Sequence, residues 1–144
     1  MLRTCLYVAA LCAAAISYAH AADVGRVKTS SGPVQIERDS ERLPARVDTP
    51  VRAGDTVVTG ANASVGITFT DNSRISVGPD STLVINRYAF DQTTHAGSFD
   101  TTLKRGTLAV ASGRLAKNSP EAVTVRTPTM VLGVRGTEFL VHAE

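Results

Sequence analysis

The strongest constraint on this chain is a period of two. From Val24 onward, short runs of alternating apolar and polar residues recur between Gly, Pro, Asn and Asp. No stretch repeats apolar residues at helical spacing over a length that would make an amphipathic helix. Strict alternation gives a strand one apolar and one wet face, and the apolar face is buried by packing against further strands.

The clearest run covers residues 64–77, where Val65, Ile67 and Phe69 alternate with Ser64, Gly66, Thr68 and Thr70, and the pattern resumes at Ile75 and Val77. A two-residue turn would set Phe69 opposite Arg74, so the connecting loop must hold an odd number of residues if both apolar sets share a face. A loop of Thr70, Asp71 and Asn72, with Asn72 left-handed, pairs Ile67 with Ile75 and Val65 with Val77. Pro79-Asp80-Ser81 marks the next turn, before a strand or strand pair carrying Leu83, Ile85, Tyr88 and Phe90. A further hairpin is expected to join Phe99 and Leu103 to Leu108 and Val110, turning at Lys104-Arg105-Gly106. Val123 and Val125 lead to a break at Thr127-Pro128-Thr129, followed by Met130, Leu132 and Val134, then Phe139 and Val141. Residues 38–50 are the least regular and are read as the longest loop. These signals predict an all-β domain of roughly ten short strands, antiparallel hairpins in a two-sheet roll or sandwich, with a short solenoid-like twist as the alternative.

The N-terminus reads differently. Arg3, an apolar run from Leu6 to Ile16, and Ala19-His20-Ala21-Ala22 form a secretory signal peptide over residues 1–21, with cleavage after Ala21. The apolar run is shorter than the ~20 residues of a spanning helix, so no stable membrane insertion is expected after cleavage. Leu11 stands before Cys12 where lipoprotein processing wants a small residue, so no lipid anchor is expected. Both cysteines, Cys5 and Cys12, fall in this segment. The domain at residues 22–144 therefore has no thiol for disulfides, covalent catalysis or metal binding.

Fifteen Lys and Arg against thirteen Asp and Glu leave no bulk charge to recruit nucleic acid. The densest charge, Glu37-Arg38-Asp39-Ser40-Glu41-Arg42, alternates in sign and reads as a solvated loop. Past the signal only His95 and His142 remain, one in a polar loop and one at the C-terminus. Carboxylate pairs such as Asp55 and Asp71 would have to converge in space to act as acid and base. No phosphate loop and no metal-ligand spacing occurs. A catalytic site, a metal and a cofactor are therefore not expected.

Three stretches in order resemble one family: Gly54-Asp55-Thr56-Val57-Val58-Thr59-Gly60, Phe69-Thr70-Asp71-Asn72-Ser73-Arg74-Ile75, and Thr127-Pro128-Thr129 followed by Gly133-Val134-Arg135-Gly136-Thr137-Glu138-Phe139. Together they resemble the FecR domain of envelope regulators, from Val24 to Val141, and the last stretch is the most specific. The resemblance implies an all-β fold, the periplasm of a Gram-negative envelope, and a binding or signalling role toward an envelope protein or cell-wall component. The family's transmembrane regulators also carry a cytoplasmic segment that contacts a sigma factor. A chain that opens on a cleaved signal and stops at Glu144 is not expected to make that contact. A structural envelope protein that self-associates through strand edges is the rival reading, and a small hydrolase the least favoured.

Arg135, Thr137, Glu138, Asp71 and Arg74 are the candidate partner-binding residues. Each has a structural reading beside the functional one. Arg135 is favoured as a tie to a carboxylate such as Glu138 or Asp71, and Asp71-Asn72-Ser73-Arg74 as turn chemistry. Asp55 after Gly54 is read as a turn whose carboxylate accepts backbone N–H bonds, and Tyr88, Phe90 and Phe99 as core.

Overall fold

The computed structural model describes residues 22–133 and 138–144, so the expected signal segment, Arg135 and Thr137 lie outside the described residues. The strands are β1 (Asp23–Ser31), β2 (Val34–Arg38), β3 (Glu41–Pro44), β4 (Pro50–Arg52), β5 (Thr56–Thr59), β6 (Ser64–Phe69), β7 (Arg74–Val77), β8 (Thr82–Phe90) and β9 (Gly97–Ala111). After β9 come a one-turn helix α1 (Arg114–Asn118), a 3-10 turn (Pro120–Ala122), β10 (Val123–Arg126), β11 (Val131–Gly133) and β12 (Glu138–Ala143). Twelve strands among the described residues replace the expected ten, in one curled sheet that makes the chain all-β.

The long strand β9 is the junction. Its first half pairs with β8, continuing through β5 and β2 to β3, and on its other side with β10 and then β11. Its second half pairs with β7, continuing through β6 and β1 to β4, and on its other side with β12. Neighbours are antiparallel except β9 and β10. That parallel pair is possible because α1 and the 3-10 turn carry the chain back along the sheet.

The hairpin of β6 and β7 has the expected register: Ile67 faces Ile75, Val65 faces Val77 and Thr68 faces Arg74. Asn72 takes φ 67°, and Ser73 O accepts from Phe69 N at 2.9 Å to close the three-residue loop. In β8 a register shift between Ile85 and Arg87 moves the buried phase from Leu83 and Ile85 to Tyr88. One strand thus carries both apolar sets.

Two expectations are corrected. Lys104-Arg105-Gly106 is not a turn but the middle of β9. The buried residues switch there from Phe99, Thr101 and Leu103 to Leu108 and Val110, a phase break that a hairpin and a bent strand share. Gly106 makes the bend at φ +97°, where an added Cβ would run into Ser81. Residues 38–50 are not one loop either, because β3 lies within them and forms a hairpin with β2 through Asp39 and Ser40, both at positive φ. Neither residue is the glycine that usually marks such a turn.

The core is continuous across the curl, with Val27, Ile36, Val57, Leu83, Ile85, Leu103, Leu108 and Leu115 fully buried. One ion pair is built into it. Arg38, expected in a solvated loop, points back to Asp55, with Nε 2.8 Å from Oδ1 and Nη2 2.7 Å from Oδ2. Arg52 N donates to the same carboxylate at 2.9 Å, as the turn reading required, and Arg38 Nη2 also donates to Pro50 O. The hydrogen bond to Asp55 raises the Arg38 pKa further above its ordinary value. Asp55 is 1% exposed, and the Arg38 guanidinium is its two-pronged partner.

Two stability measurements follow by chemical denaturation. Ile67→Ala is expected to cost ~2–4 kcal/mol and Thr68→Ala much less, because only Ile67 lies on the buried face; equal losses would refute the register. Arg38→Met keeps the stem and strands the Asp55 carboxylate, for an expected loss of ~3–5 kcal/mol. A loss under ~1 kcal/mol would show that the pair is not a structural requirement.

Candidate interaction face

Of the candidate residues, Asp71 is turned inward. It is 0% exposed, and both oxygens are engaged. Oδ1 accepts from Ser73 N at 3.0 Å and Tyr88 OH at 2.9 Å, and Oδ2 accepts from Ser73 Oγ at 2.6 Å and Leu115 N at 3.2 Å. Its backbone N–H donates to Tyr88 OH and its carbonyl accepts from Arg114 N. One carboxylate therefore ties the β6–β7 turn to β8 and to the start of α1. Gly113 lets α1 approach, since a Cβ there would collide with the backbone of Asp71 and Ser73. Burial pushes the Tyr88 phenol well above its ordinary pKa, which keeps the proton that Asp71 accepts. Tyr88 also packs with Phe69 and Phe99 at centroid distances of 5.1 Å each, so these aromatics are core.

Asp55 and Asp71 share no hydrogen-bond partner; each sits in its own network. His95 stacks on Phe90, and His142 Nδ1 lies 3.0 Å from Thr107 Oγ1. Among the described residues no group of three His, Cys, Asp or Glu is placed to hold a metal. No helix among them is long and apolar enough to cross a membrane.

Arg74 and Glu138 are placed together. Arg74 is opposite Ala111 on one side of β9, and Glu138 is opposite Ala111 on the other. The three residues form a row across β7, β9 and β12. The next row on the same face is Ser76, Ala109 and Leu140. Alternation puts Ile75, Val77, Leu108, Val110 and Val141 inside, so both rows face out. They line an open cleft of about 580 Å3 with two charges at one end and Leu140 at the other. The Arg74 and Glu138 side chains make no ion pair or hydrogen bond among the described residues.

The sequence singled out Arg74 and Glu138 but not Ser76, Ala109, Ala111 and Leu140, which the structure places beside them. Small residues carry no signal until the strands are ordered. Leu140 did leave one: in Phe139-Leu140-Val141 three apolar residues are consecutive, and alternation can turn only two of them inward.

Comparison with known proteins agrees with the motifs. The family model described as FecR protein matches residues 55–144. Neither the curated proteins nor the solved structures contain a significant match. The match begins at Asp55 rather than Val24, yet β1 and β2 ahead of it pair directly with β6 and β5 inside it. With most of its length matched, the chain belongs to the FecR family.

Proposed function

We propose that the protein is a non-enzymatic FecR-type module, exported to the periplasm, that binds an envelope protein or cell-wall component through the outer face of β7, β9 and β12. The observation that carries this reading is the placement of two charges, Arg74 and Glu138, that have no ion pair or hydrogen bond among the described residues, across a floor of small side chains on regular strands. The buried carboxylates Asp55 and Asp71 are consumed within the fold. Such a face presents fixed polar groups with little loss of backbone entropy on binding. The two histidines in separate local contacts add nothing that would make the cleft catalytic.

Capture of partners from envelope extracts tests this with Arg74→Glu. Arg74 is exposed and has no ion pair among the described residues, so the variant should melt within a degree or so of the parent. Capture of the specific partner should weaken at least about tenfold, as expected for an arginine anchor. Undiminished capture by a normally melting variant would contradict the reading.

A further inference from the structure

Among the described residues the free edges at β3, β4 and β11 are blunted, and the edge at β12 is not. The edge at β3 carries Glu41, Arg42 and Pro44, the edge at β4 begins with Pro50 and ends with Arg52, and the edge at β11 is only three residues long. Charges, proline and brevity are the usual guards against strand addition. The six-residue β12 has neither Pro nor Lys, pairs with β9 without a register shift, and has no strand on its other side among the described residues. Leu140, at its middle, is 70% exposed.

We infer that the occupant of this edge is β12 of a second copy, paired antiparallel about a twofold axis at Leu140. The argument is self-complementarity. Directly opposed residues in an antiparallel pair must share a face, so a symmetric register must be centred on a residue rather than between two. Centred on Leu140, it sets the two Leu140 side chains against each other and Phe139 against Val141 of the partner copy. It also sets Glu138 against His142 of the partner copy, twice by symmetry. His142 Nδ1 is engaged with Thr107 Oγ1, which leaves Nε2 to meet the incoming carboxylate. The next symmetric register, centred on Val141, places Glu138 against Glu144 of the partner copy and Leu140 against His142. That exchanges two attractive pairs for two repulsive ones. The main-chain hydrogen bonds provide affinity and the outward pairs fix the register. This inference needs no envelope partner, although it uses Glu138 and Leu140 of the face proposed to bind one.

Sedimentation velocity of the purified exported protein, over a concentration series, reads the result. The parent should show a monomer–dimer equilibrium, and Leu140→Lys should be monomeric while melting like the parent, because its side chain is exposed in the monomer. E138K should raise the dimer dissociation constant roughly tenfold, since two symmetry-related pairs turn unfavourable. The double variant E138K/H142E should return it to within a few-fold of the parent. A parent that stays monomeric, including one whose edge is taken only by a different envelope protein, would overturn the inference. So would a dimer that survives Leu140→Lys, or a double variant no tighter than E138K.

Discussion

A single strand that runs through both halves of the curled sheet is the constraint on which the rest depends. β9 hands the backbone ladder from β8 and β10 to β7 and β12 within fifteen residues. The handover requires a bend with no side chain on its inner surface, which Gly106 supplies beside Ser81. Ser81 then pins the bend: its Oγ accepts from Thr107 N at 3.0 Å, and its N–H donates to Thr59 Oγ1 at 2.9 Å. Strands that are remote in sequence are thereby held in fixed relation. Their apolar faces close on one core rather than two.

Two buried carboxylates complete that arrangement by fixing loops that hydrophobic burial alone would leave underdetermined. Asp55 holds the β4–β5 turn against the end of β2 through Arg38, and Asp71 holds the β6–β7 turn against β8 and α1. Each carboxylate has its partners provided, as burial of a polar group requires. By contrast, the charged residues Arg74 and Glu138 lie on strands and face outward. Arg74 and Glu138 are spaced by the register of β7, β9 and β12, and a shift of one residue in β7 or β12 would turn one of them inward.

Local features were legible in the sequence to the extent that they were decided locally. The β6–β7 register followed from alternation and one left-handed asparagine, and the Thr127-Pro128-Thr129 break from proline's missing donor. Phase breaks were visible but ambiguous. At Lys104-Arg105-Gly106 a bend and a hairpin turn leave the same trace in apolar spacing, and only the ladder partners distinguish them. The Arg38–Asp55 pair was illegible because it joins residues 17 apart through the β2–β5 register. Helix α1 is too short for periodicity to reveal it, and the outward row of Ala111, Ala109 and Ser76 exists only once three strands are side by side.

Native-state hydrogen exchange across β9 tests this organisation most directly. If the strand joins both halves of the sheet, the hydrogen-bonded amides of β9 on either side of Gly106 should exchange only through global opening, with a free energy equal to that from denaturant unfolding. The terminal strands β3, β4 and β11 should exchange through smaller openings. A β9 whose two halves open with distinct free energies, each together with the strands on its own side of Gly106, would show two separable units and contradict the account.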